Sequence, residues 1–480
     1  MVKNSHKFLS IACLALGLFG EVQATDEFPY LVAGGRGSPF SPPHFSDRDD
    51  VISFLDDHLD IKGIGLVDHT CFPKMSLTFL NNYPHIKTLV LNGVVANPAE
   101  FELHTLQYIT VFHNGLRPRD GHRHDPIWQG FGNVPNLEKL DTTLEHFPYL
   151  GEMPFLQKLR LTEQDTHLYA PYNIQNIGRY NLRELSIHAG HLTDISPLGQ
   201  LTGLESLWIY GFQITSEGFE FLHQLRALKL LEIQDSRHMD LSILKGHPAM
   251  ETLVLDMDPY YKETACPQIF ETLPSLKSLT LRWNSLKDIS ALSACKKLEV
   301  LVLYRTKISS LEALRGLPIK HLDISLCHVK DLSPIADMKS LELLNIVCNY
   351  PHHWDGLKAH PSLRRIKAAK GDLINPTKIA GSDYGENVTW DSKYFLTAES
   401  KKFIEEYDTN IPNIPEGYPL EVLKTVPHLE MIVTTSQEIT PTLLENFRQA
   451  RPDVAVVECG PWQTVDIDSI RKYEAAEAKK

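Results

Sequence analysis

The feature that most constrains this chain is a pattern spelled three times between Leu276 and Ile335. Leu276, Leu279, Leu281, Asn284 and Leu286 stand at fixed offsets; Leu298, Leu301, Leu303, Thr306 and Ile308 repeat them, and Ile319, Leu322, Ile324, Cys327 and Val329 repeat them again. Between them lie Asp288-Ile-Ser-Ala-Leu292, Ser310-Leu-Glu-Ala-Leu314 and Asp331-Leu-Ser-Pro-Ile335. The period is near 22 residues. A repeat of that length is one supersecondary unit that cannot bury its apolar face alone, so neighbours must stack. This overrides the prior of roughly 150 residues per domain that 480 residues would otherwise invite.

Within a unit the L-x-L segment alternates, which sends both aliphatics inward and the residue between them outward. Indexed by the first aliphatic, irregular units fall at Ile64, Leu89, Ile109, Leu140 and Leu159. Regular ones follow at Leu185, Leu207, Leu231, Leu253, Leu279, Leu301, Leu322, Leu344 and Ile366, making fourteen. Strands stacked at ~4.8 Å predict an inner face roughly 60 Å long. Asn114, Asn284 and Asn349, three positions past the second aliphatic, are expected to satisfy backbone groups where the chain turns inward. Ser196-Pro197 and Ser333-Pro334 predict short helix starts, with a hydroxyl cap followed by a proline.

The pattern is that of the leucine-rich repeat, and Leu182–Ser196 with Leu204–Ile214, joined by Asp194-Ile-Ser-Pro-Leu198, resembles the bacterial internalin type. The resemblance is close over Leu182–Ile366 and loose over Ile64–Leu161. It implies an α/β fold: a right-handed leucine-rich-repeat solenoid with a concave parallel β-sheet and short helices or turns on the convex side. It also implies that the concave side engages another protein. The sequence departs from internalins after the repeats, where no sorting signal, wall-binding module or immunoglobulin-like domain is evident.

Four segments are expected. Residues 1–24 read as a signal peptide, with Lys3 and Lys7 ahead of the apolar Phe8–Gly20 and Val22-Gln-Ala24 before the cleavage point. An uncleaved anchor is the alternative, but the run is short for a bilayer. Residues 25–58 form a lead-in and a capping helix with Val51, Ile52, Leu55 and Leu59 on one face. Residues 59–372 are the repeats, interrupted by insertions at Leu116–Val134 and Met257–Cys266. Residues 373–480 form a C-terminal cap, with a looser repeat over Glu421–Glu458 and a charged tail. The expected location is secreted or periplasmic.

The net charge of -13 disfavours nucleic acid and anionic membrane as partners. Cleavage would leave Cys71, Cys266, Cys295, Cys327, Cys348 and Cys459, too few in so long a chain for a disulfide framework. His122, His124 and Asp125, and His352-His353, lack the ligand spacing of a zinc site and read as solvated loop histidines. Asn387-Val-Thr389 is a glycosylation acceptor. There is no G-x-S-x-G, H-E-x-x-H, phosphate-binding loop or dinucleotide fingerprint, so no enzyme and no cofactor are expected.

The strand register instead exposes a row of candidate binding residues. The outward positions are Glu184, Ser186, His188, Ser206, Trp208, Tyr210, Glu232, Gln234, Thr252, Val254 and Asp256, then Ser278, Thr280, Arg282, Val300, Val302, Tyr304, His321, Asp323, Ser325, Arg365 and Lys367. Trp208, Tyr210, Glu232, Asp256, Arg282, Tyr304 and Asp323 are the expected partner contacts, since aromatics with arginine nearby are typical of interface centres. The competing reading of the aromatics is local packing across the sheet. A protein or peptide is the expected ligand; a glycan stacked on Trp208 and Tyr210, or a purely structural envelope role, are the alternatives.

Overall fold

The computed structural model describes residues 48–57, 59, 61–67, 77–92, 103–112, 134–144, 147–163, 172–192, 194–211, 216–236, 241–257, 267–282, 286–349, 351–368, 418–434 and 441–458. The signal peptide, most of both insertions, Asn114, Asn284, His122, His124, Asp125, Asn387, Cys71, Cys266, Cys459 and the charged tail lie outside them. The chain divides into two compact units, Met1–Met239 and Asp240–Lys480.

The first unit opens with helix α1 (Arg48–Asp57), which buries Val51 and Leu55 and is tied by the Tyr83 hydroxyl donating to Asp56 at 2.7 Å. Leu59 departs from the expected helical face: it lies beyond the last turn and is 67% exposed. Eight parallel strands follow, β1 (Gly63–Val67), β2 (Thr88–Asn92), β3 (Tyr108–Phe112), β4 (Lys139–Thr143), β5 (Lys158–Thr162), β6 (Glu184–His188), β7 (Ser206–Tyr210) and β8 (Leu230–Ser236). Each pairs with the next in chain order. The register aligns Ile64, Leu89, Ile109, Leu140, Leu159, Leu185, Leu207 and Leu231, the indexed aliphatics of the first eight repeats.

The second unit continues with β9 (Thr252–Met257), β10 (Ser278–Arg282), β11 (Val300–Tyr304), β12 (His321–Asp323), β13 (Leu343–Asn345) and β14 (Arg365–Ala368). Helix α2 (Tyr418–Lys424), β15 (Met431–Thr434), helix α3 (Pro441–Ala450) and β16 (Ala455–Glu458) complete it. Leu253, Leu279, Leu301, Leu322, Leu344 and Ile366 are again in register, and Ile432 and Val456 extend the row.

The aliphatics at these positions from Ile64 to Ile432 are buried, each contributing roughly 1.5–3 kcal/mol relative to exposure, while Val456 on the last strand is half-buried. Backbone pairing locks the stack at the start of each strand. The Glu251 carbonyl accepts N–H groups from both Lys277 (2.8 Å) and Ser278 (3.0 Å), and the same fork recurs from repeat to repeat. Opposite the strands run short 3-10 helices such as Ser196–Gln200, Ser290–Ala294 and Ser333–Asp337. Their caps correct the sequence expectation. The serine hydroxyl does not cap; Asp194, Asp288 and Asp331 accept the N–H of the serine two residues on, at 3.0, 2.8 and 2.8 Å. The helices begin at these serines, with Ile195, Ile289 and Leu332 in the cap position, so the serine N–H is itself an orphan of the first turn and the carboxylate ahead of it accepts it in an Asx-type turn.

Past the second aliphatic the chain turns through a left-handed residue, Arg305 (φ 54), Leu326 (φ 57) or Cys348 (φ 61). The next residue, Thr306, Cys327 or Asn349, is buried. Asn349 meets its expected role: its amide donates to the Ile324 and Ile346 carbonyls, and its side-chain oxygen accepts the Val329 N–H. Cys327 does part of this, its thiol donating to the Leu303 carbonyl, and burial pushes that thiol up to about 12.

Candidate functional site

In the first unit the register sets Arg160, Ser186, Trp208 and Glu232 side by side in one outward row across β5–β8. Thr162, His188, Tyr210 and Gln234 form the next. All are half-buried, because a side chain between two neighbours ~4.8 Å away on a sheet face loses much of its solvent. The His188 ring stacks on Tyr210 at 4.0 Å between centroids and 27° between planes. Its Nε2 lies 3.1 Å from the Ser186 hydroxyl. Burial, and then the Arg160 charge, lower the His188 pKa to about 4.

Tyr210 reaches across the rows and donates to Glu232 Oε1 at 3.3 Å, and the Gln234 amide donates to the same oxygen at 2.5 Å. Burial, and then the charge on Glu232, raise the Tyr210 phenol, keeping it a donor. Local packing therefore accounts for Tyr210, which is held on two sides. Trp208 is different: among the described residues its indole N–H has no hydrogen-bond partner, and Glu232 Oε2 accepts no bond.

A similar device lies nearer the start of this unit. The Tyr108 hydroxyl donates to Asp141 Oδ2 at 2.6 Å, with Lys139 Nζ 4.1 Å from the centre of the Tyr108 ring. Tyr108, Asp141 and Arg160 were not among the expected contacts. The signal was available, since Asp141 and Arg160 hold the outward place in Leu140-Asp-Thr and Leu159-Arg-Leu.

In the second unit Asp256, Arg282 and Tyr304 share an outward row, with 3.9 Å between the Arg282 guanidinium and the Asp256 carboxylate. Tyr304 is half-buried, and burial is the main cause raising its phenol pKa. Val254 and Val302 flank Thr280 in the row beside it. Two residues expected outside are buried, Thr280 at 7% exposure and Ser325 at 3%. Thr280 is shielded by its two valine neighbours. Ser325 follows a strand that ends two residues early. Asp323 is occupied by the fold: Oδ1 accepts the Ser325 N–H (2.9 Å) and hydroxyl (2.5 Å), and Oδ2 accepts the Asn345 amide (2.7 Å).

A charge ladder runs along the position ahead of each strand. It reads Arg183, Glu205, Lys229 in the first unit and Glu251, Lys277, Glu299, Lys320, Glu342, Arg364, Glu430 in the second. Ion pairs close between Glu205 and both Arg183 and Lys229, and between Lys277–Glu251, Lys320–Glu299 and Arg364–Glu430.

Among the described residues no group of three histidine, cysteine or acidic side chains could hold a metal, and no helix is long and apolar enough to cross a membrane. His353 is exposed as expected, but His352 is buried, since its N–H is drawn to the Lys330 carbonyl as the chain turns. Cys295 and Cys327 are buried and Cys348 is half-buried, and none of the three is in a disulfide.

A family model for leucine-rich repeats, in two copies, matches residues 274–316. No curated protein matches the chain. Among solved structures, a leucine-rich-repeat protein of Leptospira interrogans matches with TM-score 0.51 and 18% identity, over 86% of this chain and 98% of that one. Internalin C2 of Listeria monocytogenes matches at 25% identity and TM-score 0.31, over 35% of this chain and 73% of its own. Internalin F of the same organism matches at 13% and 0.26, over 84% and 76%. The likeness to the Leptospira protein concerns the fold, and the parallel strand order and its register agree with it.

Proposed function

Because this chain is a leucine-rich-repeat protein, we propose that it binds a protein or peptide partner on the outward face of its sheet. The observation that carries this reading is Trp208, a half-buried indole with an unused N–H, set beside a carboxylate that two neighbours hold in place. Rigid, partly desolvated aromatics flanked by polar groups are what interface centres are made of. Tyr210 and Glu232 support Trp208 in the first unit; Asp256, Arg282 and Tyr304 make a second set in the other. Asp323 serves its turn and is not retained as a contact. Residues 1–24 direct export, so the partner is met outside the cytoplasm.

The test is affinity capture with the intact mature chain against the double variant Trp208→Ala, Tyr304→Ala, with folding checked by circular dichroism. Loss of the captured protein with an unchanged spectrum supports the face as the binding surface; unchanged capture removes it. Competition by soluble oligosaccharide in place of peptide would indicate a glycan instead.

A further inference from the structure

We infer that the Trp208–Glu232 pair in the first unit is a seat for one basic side chain of the partner, an arginine or lysine. This rests on the reading that the outward face is the binding surface, and it names what that surface selects. Trp208 and Glu232 are register neighbours on β7 and β8, about 4.8 Å apart along the row. A cation within ~6 Å of an indole face is attracted by the ring quadrupole, and the same cation can reach the carboxylate next door. Arginine suits both at once, with a flat face for the indole and a fork of N–H donors for the carboxylate.

Two features make the seat selective. The first is pre-organisation. Glu232 Oε1 is held by the Tyr210 hydroxyl and the Gln234 amide, and Tyr210 is held by the His188 ring. The remaining oxygen, Oε2, is therefore presented in a fixed direction with little left to order on binding. The second is the placement of charge. Arg160 lies two strands from Trp208 on the side away from Glu232, about 10 Å along the row. The row reads cation, hydroxyl, indole, carboxylate, so a bound cation is repelled from the Arg160 end and drawn to the Glu232 end. The chain as a whole carries -13, which favours approach by a basic segment.

The test uses the full chain labelled with nitrogen-15, following the Trp208 indole N–H resonance, which Trp208→Phe assigns. N-acetyl-arginine amide is titrated against N-acetyl-citrulline amide, the uncharged isostere, and N-acetyl-aspartate amide. The expected result is a saturable shift with arginine and binding of citrulline weaker by roughly threefold or more, the factor a surface cation–π contact supplies. Glu232→Gln should bring arginine down to the citrulline level and leave the indole resonance otherwise in place. Equal binding of arginine and citrulline, stronger binding of aspartate, or arginine binding untouched by Glu232→Gln would each overturn the inference. If capture still depends on Trp208 while Glu232→Gln leaves it intact, the basic seat fails and the binding face survives. If capture ignores both residues, the broader reading fails with it.

Discussion

The Asn345 side-chain amide donates to the Asp323 carboxylate at 2.7 Å, linking β12 to β13 through a carboxylate that the sequence pattern assigns to a binding face. Each residue also folds back on its own chain. Asp323 accepts the Ser325 N–H and Asn345 accepts the Val347 N–H, two residues on in both cases. These turns end β12 and β13 after three residues, where β10 and β11 run to five. Asp323→Ala should therefore cost about 2–3 kcal/mol in urea unfolding, from three charge-assisted bonds at a half-buried site that do not add fully, while partner capture is unchanged. Intact stability together with lost capture would return Asp323 to the binding face.

Asn349 is a buried turn residue whose side chain makes three hydrogen bonds to backbone groups. Asn349→Ala strands the Ile324 carbonyl and the Val329 N–H, both served by one amide, while the Ile346 carbonyl keeps the backbone N–H of residue 349. Unsatisfied buried groups cost ~1–3 kcal/mol each and do not add fully, so a loss of about 3 kcal/mol is expected. Asn349→Cys should lose less, because Cys327 already fills the same place one repeat earlier.

The alternating charges ahead of the strands predict a salt-dependent effect. Glu299→Lys would set three lysines, 277, 299 and 320, on consecutive strands where an ion pair now closes. The urea midpoint should fall below that of Glu299→Gln at low ionic strength, and the two should converge at roughly 1 M salt, where the Debye length is ~3 Å. A gap that persists at high salt would point to packing rather than charge.

Acid should weaken the fold through histidines kept neutral by burial. His188 is lowered to about 4, and His360 is lowered chiefly by burial while its Nδ1 accepts the Leu363 N–H. Below the unfolded value of ~6.5 the unfolded chain takes up protons that these sites refuse, so stability drops as pH falls from there toward 4. The urea midpoint should decline between pH 7 and pH 5, less steeply in His188→Gln and His360→Leu than in the parent. Equal slopes in all three would mean that other groups govern the acid limb.

What the sequence determined by itself was the part carried by short-range alternation. The L-x-L core is a period-two signal read within five residues, so every indexed aliphatic from Ile64 to Ile366 could be assigned inward before any strand was seen, and Trp208, Tyr210 and Tyr304 outward. What only the tertiary structure decided lies between repeats. The Tyr210–Glu232 bond joins residues 22 apart in sequence, as does the Asn345–Asp323 bond, and His188 stacks on Tyr210 across the same step. Such partners depend on which residues the register sets side by side, and repeat lengths that vary along the chain hide that alignment until the strands are paired. Burial of Thr280 and Ser325 follows the same rule: exposure on a sheet face is set by the neighbours' bulk and by where the strand ends, and neither is a property of the residue's own alternation.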